Sequence, residues 1–218
     1  MQEASGSSFQ PDRSPGCAQR AGRTREITLE LSDYTITAAA PGHLEQLPRI
    51  ELAAASRFRG YDVPATLFAD TTPIAVFAEA RASDHLWVAL AATGECVGFA
   101  LVEPSGARLH LAELDVVPDH GRRGVGSALV SQVERWGEAH GFAEVTLTTY
   151  RDVPWNGPLY RRLGYALLPA EDLDDELAAR RETEAAQGLD SLPRVAMRKT
   201  LGRPTSASSG APQRLPHS

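Results

Sequence analysis

The chain has 218 residues, 42% of them hydrophobic and 6% aromatic, and carries a formal net charge of −6. That length suits one well-buried domain with tails and is short for two. The negative balance argues against a general nucleic-acid binder and favours a cationic substrate through long-range attraction, and no apolar run approaches the roughly 20 residues that span a bilayer.

Residues 1 to 30 are rich in Ser, Gly, Pro, Gln and Arg and lack apolar periodicity, which predicts a disordered leader without the apolar core of a signal peptide. A cytoplasmic location is the expectation. Residues 201–218 have the same composition and read as a disordered tail, leaving residues 31–200 as the folded domain. Of the two cysteines, Cys17 falls in the leader and Cys96 in an apolar run. Cys96 reads as a small buried hydrophobe rather than a nucleophile.

Tyr34 to Ala38 reads as a first strand, and Pro41 to Arg57 as a first helix, with Leu44, Leu47, Ile50, Leu52 and Ala55 at near-helical spacing. Residues 59–84 have weak periodicity, with one short helix expected over Ile74 to Ala82. Leu86 to Leu90 and Cys96 to Val102 flank a Thr93-Gly94 turn and predict a hairpin, which Leu109 to Val117 extends to a three-stranded meander. Val125, Leu129, Val133 and Trp136 form the apolar face of a helix ending near Gly141. Glu144 to Tyr150 alternates and is β-branched, hence a strand. The strand–helix–strand order implies a parallel, right-handed crossover. Asn156 to Leu163 reads as a short helix stopped by Gly164, then Tyr165 to Leu168 as a strand. Glu171 to Gln187 reads as a charged helix with Gly188 at its end, and Arg194 to Lys199 as a last strand. The acidic start of that charged helix reads as a solvated first turn. The fold class is α+β, a single domain with a mixed sheet.

The chemistry-bearing stretch is Glu113 to Ser127, an acidic apolar strand leading through a basic glycine turn into a helix. Free backbone N–H groups at a helix N-terminus, flanked by Arg122 and Arg123, suit phosphate oxygens. Gly121-x-x-x-x-Gly126 has P-loop glycine spacing, but Ser127-Ala128 stands where Lys-Ser/Thr is needed. Gly124-Val125-Gly126-Ser127-Ala128-Leu129 breaks the G-x-G-x-x-G dinucleotide fingerprint.

A third pattern fits. Val116-Val117-Pro118, then Arg122-Arg123-Gly124-Val125-Gly126 and a Leu/Val-rich helix, resembles the acetyl-CoA-binding motif of the GNAT N-acetyltransferase superfamily. The segment Asp152 to Tyr165, with Asn156 and Tyr160 ahead of Gly164-Tyr165, resembles that family's second landmark, and the resemblance covers 31–200. Gly121 departs from the usual Gln or Arg, and Arg122 stands where a Gly is common. The resemblance implies a splayed central sheet of about six to seven strands flanked by helices. It also implies an acetyl-CoA-dependent transfer to a primary amine by direct attack in a ternary complex.

By the same resemblance, backbone groups of Val116 and Val117 would pair with the pantetheine arm. The N–H groups of Arg122, Arg123, Gly124, Val125, Gly126 and Ser127 would hold the pyrophosphate, with Asn156 and Pro158 against the far part of the arm. An alkylammonium with a pKa of about 10.4 must lose a proton before it attacks, and a nearby carboxylate can take it. Glu113 is the expected base, with Asp115, on the same face by strand alternation, as the alternative. The resemblance makes Tyr160 the general acid towards the leaving thiolate, and a strand N–H near Val116 the oxyanion donor. Trp155 is expected at the acceptor mouth. Arg151 and Asp152 either orient the substrate or pair with each other. No histidine spacing suggests a metal, and His110 reads as a satisfied core residue. The expected partner is a small-molecule amine, with no nucleic acid and no membrane, and a homodimer is left open. A protein N-terminal or lysine acetyltransferase, or a silent acetyl-CoA-binding module, stands as the alternative.

Overall fold

The computed structural model describes residues 29–31 and 33–202. Most of the predicted leader and tail lies outside the described residues. Leu29 and Glu30 belong to a three-residue strand, β1 (Leu29–Leu31). Leu201 closes the fold, donating its N–H to the Ala143 carbonyl at 2.8 Å.

The described strands form one mixed sheet in the order β1-β2-β3-β4-β5-β6-β8-β7. They are β2 (Tyr34–Ala38), β3 (Leu86–Ala91), β4 (Cys96–Ser105), β5 (Arg108–Val116), β6 (Glu144–Tyr150), β7 (Ala166–Leu168) and β8 (Arg194–Thr200). Eight strands exceed the expected six or seven by β1. The meander is antiparallel through β5, and β5 and β6 are the parallel pair joined by helix α3 (Val125–Ala139). That pairing runs only from Arg108–Glu144 to His110–Thr146. Beyond it β5 and β6 diverge, and the expected splay is present.

The predicted helix over 41–57 is three pieces: a 3-10 turn at Pro41–Gln46, helix α1 (Leu47–Ala55) and another 3-10 turn at Ser56–Phe58. Pro48 explains the first break, because proline lacks an N–H and is tolerated only in the first turn of an α-helix. Helix α2 (Ile74–Ala82) stands as predicted. Helix α4 (Gly157–Arg162) is short, and the last helix, α5 (Asp175–Ala186), starts later than expected. Asp174 caps it by accepting the Leu177 N–H at 3.0 Å, so part of the acidic run is a cap rather than only a solvated turn.

Two apolar layers sandwich the sheet. Leu129 and Val133 of α3 pack with Ile36, Leu109 and Met197 on one face, and Leu47, Ile50 and Phe77 of α1 and α2 pack with Val88 and Phe99 on the other. Ala196, next to Met197 on β8, joins Leu177 of α5, which places α5 on the face opposite α3.

A β-bulge in β5 decides where its acids point. Leu101 pairs with Glu113 while Val102 pairs with Leu111, so Ala112 has no partner on β4. Leu109 and Leu111 face the α3 core before the bulge, and Leu114 and Val116 pack against it after. The one-residue phase change turns Glu113 and Asp115 away from α3, towards α1 and α5.

Candidate active site

Two cavities meet where β5 and β6 part. The first, of about 780 Å³, is bounded by Val116 of β5, by the turn from Gly121 into α3, and by Asn156 and Leu159 at the start of α4. The turn is built for exposed donors. Arg122 and Gly124 both take left-handed backbone, at φ 59° and 85°, and α3 begins at Val125 with no side-chain cap. The first helical hydrogen bond there runs from the Ala128 N–H to the Gly124 carbonyl at 2.9 Å. Among the described residues, none accepts from the backbone N–H groups of Arg122 to Ser127. This is an anion cradle of free donors at the positive end of a 15-residue helix.

Three arginines line that cavity, Arg57, Arg122 and Arg162. Arg57 lies over the Trp155 ring, 4.2 Å from its centroid. Burial, and then the charge of Arg122, pull the Arg57 guanidinium below its ordinary value. Two cations held side by side favour an anion between them.

Strand register opens a second set of donors. The Val117 N–H donates to the Val97 carbonyl at 2.9 Å, while the Val117 carbonyl accepts from the His120 N–H at 3.0 Å. Val117 and Val97 are therefore a hydrogen-bonded pair, and the next pair, Val116 with Gly98, is not. The polar backbone groups of Val116 consequently point away from β4, into the gap. Across that gap, the Asn156 amide donates to Thr149 Oγ1 at 2.9 Å and its buried Oδ1 has no partner among the described residues.

The second cavity, of about 650 Å³, lies on the α1 and α5 side. Its floor carries Glu113 and Asp115, whose carboxylate oxygens come within 4.8 Å of each other and of Glu51 from α1. Burial is the leading cause that lifts both β5 carboxyls, followed for Glu113 by Glu51 and for Asp115 by Glu113. Glu113 rises to about 7. Its side chain is exposed at the cavity surface, where solvent screens part of that rise. Leu67, Thr72 and Val76 form one wall and Arg180, Thr183 and Glu184 of α5 another. Arg194 and Glu184 pair at 3.0 Å. Burial would raise the Glu184 carboxyl, but Arg194, with hydrogen bonds from Thr148 and Arg181, holds it below its usual range.

Tyr160 stands in the partition between the cavities with Asp115, Asn156 and Phe58. It is 7% exposed, and burial followed by the charges of Asp115 and Glu113 pushes its phenol well above the ordinary tyrosine range. It stays a protonated donor at neutral pH.

A family model described as acetyltransferase (GNAT) family matches residues 51–165, more than half of the chain. The chain belongs to this family. It is an acetyltransferase. Solved structures with the same fold include a PaiA N-acetyltransferase from Thermoplasma acidophilum in complex with coenzyme A, at TM-score 0.59 and 14% identity, covering 77% of this chain and 98% of that one. The ribosomal-protein-S18-alanine N-acetyltransferase of Escherichia coli matches at 0.54 and 17%, covering 80% and 97%. An N-acetylglutamate synthase from Neisseria gonorrhoeae, complexed with coenzyme A and N-acetyl-glutamate, matches at 0.60 and 12%, covering 80% of this chain and 36% of that longer one.

Within this GNAT chain, Val116, Arg122, Gly124, Val125, Gly126, Ser127 and Asn156 all line the first cavity. Val117 and Pro158 do not, and Val117 has its backbone polar groups engaged. Arg123 turns back towards the Tyr34 hydroxyl at 3.4 Å. Trp155 lies on the first cavity rather than at the second. Arg151 and Asp152 pair with each other at 2.9 Å, both exposed. His110 is buried and bonds Thr146 Oγ1 at 3.1 Å, as a satisfied residue should, though it also lines the second cavity. Burial lifts the Cys96 thiol to about 11, so it is no nucleophile at neutral pH. No helix among the described residues is long and apolar enough to cross a membrane.

Sequence reading missed Glu51, Thr72 and Arg57. Glu51 had a signal: four residues after Leu47 and four before Ala55, it interrupts the buried stripe of α1.

Proposed function

We propose that the protein transfers the acetyl group of acetyl-CoA to a primary amine of a small molecule. The supporting observation is the bounded second cavity. Leu67, Thr72 and Val76 of the 59–84 segment wall one side of it, and that segment is tied across to the turn after α5, where Ser191 Oγ donates to the Asp62 carbonyl at 2.6 Å. A walled pocket beside the acids suits a small amine better than a polypeptide, which needs a long open groove. The first cavity fits coenzyme A: the cradle over Arg122–Ser127 for the pyrophosphate, the Val116 backbone for the pantetheine arm, and the orphaned Asn156 Oδ1 for one of its amide N–H groups.

Acetyl-CoA supplies a thioester carbonyl next to Val116. Glu113, with Asp115 as its partner, takes a proton from the incoming ammonium, directly or through one water. The freed nitrogen forms the new C–N bond, and the C–S bond breaks. The nitrogen sheds its second proton, the thiolate gains one, and one proton goes to solvent. The Val116 N–H meets the carbonyl oxygen as charge builds there. Tyr160 faces the departing sulfur. A phenol pushed above pKa 10 gives up its proton reluctantly to a thiolate whose conjugate thiol is near 8.5. Tyr160 therefore acts mainly by hydrogen bonding.

The test is free-thiol release from acetyl-CoA over a panel of small amines and of peptides with free N-termini. Turnover of small amines with little on peptides is expected. Turnover of peptides alone would overturn the small-molecule reading, and silence throughout with no coenzyme A binding would overturn the whole.

A further inference from the structure

Of the two arginines in the glycine turn, Arg122 lines the first cavity and Arg123 does not. The Arg123 guanidinium donates instead to the Tyr34 hydroxyl at 3.4 Å, and the same oxygen lies 2.9 Å from His120 Nδ1. Tyr34 belongs to β2 and is 5% exposed, so its hydroxyl depends on these two partners. An arginine only donates, so the Tyr34 oxygen accepts from Arg123 and its own hydrogen needs an acceptor. Among the described residues, the acceptor it reaches is His120 Nδ1. In the neutral ring this places the hydrogen on Nε2.

His120 itself lines the first cavity, ahead of the cradle. With Nδ1 taken by Tyr34, the polar edge left for that cavity is Nε2–H, and no described residue accepts from it. The ring is held firmly. It stands at 83° to the Tyr34 ring with centroids 5.6 Å apart, and the His120 backbone N–H is tied to the Val117 carbonyl at 3.0 Å. Gly121, the next residue, brings no side chain of its own to this part of the wall. A fixed N–H donor beside Arg122 and the free N–H groups of the turn suits a phosphate oxygen.

We propose that His120 is a further phosphate-binding residue for coenzyme A, donating from Nε2, and that Tyr34 and Arg123 are positioning residues that fix its tautomer. This rests on the coenzyme A reading of the first cavity and adds a side-chain donor to it. Arg123 then serves the cradle from behind, through two successive hydrogen bonds, without touching the anion.

The experiment is calorimetric binding of coenzyme A and of dephospho-coenzyme A, which lacks the ribose phosphate, to the full chain and to His120→Gln, His120→Asn and Tyr34→Phe. A Gln amide nitrogen reaches as far as the Nε2 position, whereas an Asn amide nitrogen reaches only as far as Nδ1. His120→Asn should weaken coenzyme A binding about tenfold, and His120→Gln and Tyr34→Phe about threefold. Loss with both ligands puts the contact on the pyrophosphate, and loss with coenzyme A alone puts it on the ribose phosphate; either supports the proposal. The opposite ranking, with Asn near the parent and Gln weak, overturns it, because the ring is then only a strut to Tyr34. Unchanged binding in all three variants overturns it too. Nitrogen NMR of the histidine rings at pH 8 gives a readout that needs no ligand. The parent should carry the His120 hydrogen on Nε2, and Tyr34→Phe should mix the two tautomers. A parent ring with its hydrogen on Nδ1 overturns the relay. A parent with the Nε2 tautomer that binds no coenzyme A overturns the coenzyme A reading along with the phosphate role.

Discussion

Gly98 of β4 stands so close to β5 that a Cβ placed on it would lie 2.6 Å from the Asp115 carbonyl oxygen. That oxygen is main chain and cannot step aside without moving the strand that carries the acids. Gly98→Ala is expected to cost about 1–3 kcal/mol in urea unfolding. It should also lower kcat/KM, since Glu113 and Asp115 move with the backbone. Unchanged stability together with unchanged kinetics would show slack between the strands that the geometry denies.

The raised carboxyls set the pH dependence. With Glu113 as the proposed base, its raised carboxyl makes kcat/KM climb with pH through an apparent value above the ordinary 4.5, and that value belongs to Glu113 and Asp115 together. Glu113→Gln should cut kcat by about a hundredfold or more and flatten this limb. The sign for stability is the opposite. A carboxyl with a raised folded-state value contributes stability below its unfolded value of 4.5, and loses it as pH rises through the folded value. Glu113→Gln should therefore melt higher than the parent at pH 8, and no higher at pH 4, in paired thermal scans.

Arg122 holds a left-handed φ of 59° where glycine would be unstrained. Relief of that strain and the added freedom of the unfolded chain oppose each other at about 1 kcal/mol apiece, so Arg122→Gly should leave the melting temperature nearly unchanged. Coenzyme A binding should weaken about three- to tenfold and lose part of its salt dependence. Arg122→Gln should weaken binding similarly, because it removes charge while keeping the strain. Calorimetry at two salt concentrations reads both variants.

Tyr160→Phe removes the hydroxyl that the proposed mechanism sets against the leaving sulfur, and keeps the ring that packs on Tyr165. Its kcat should fall about 10- to 100-fold with acceptor KM little changed. With the phenol held above its ordinary value, the parent's rate should show no loss from tyrosine ionisation up to pH 10. A drop in KM with kcat intact would place Tyr160 in acceptor binding instead.

Much of this site could be read from the chain because its signals are local. Gly124 and Gly126 ahead of an apolar helix, and Asn156 four residues before Tyr160, each sit within one turn of structure. Alternation also placed Glu113 and Asp115 on one face, but said nothing about which face. The pattern held that answer: apolar residues at Leu109 and Leu111 resume at Leu114 and Val116, a change of phase that requires a bulge between them. The wall formed by the 59–84 segment could not be foreseen in this way. Asp62 and Ser191 are 129 residues apart in the chain, and the hydrogen bond joining them leaves no trace in either neighbourhood. Glu51 and Thr72 met for the same reason, through packing of a weakly periodic segment on α1.

The shared partition of Phe58, Leu114, Asp115, Asn156 and Tyr160 gives each cavity its own volume on either side of the reacting atoms. Both chambers are partly open to solvent, so the two substrates should load independently and in either order. Free coenzyme A should then compete with acetyl-CoA alone, and inhibit non-competitively against the amine.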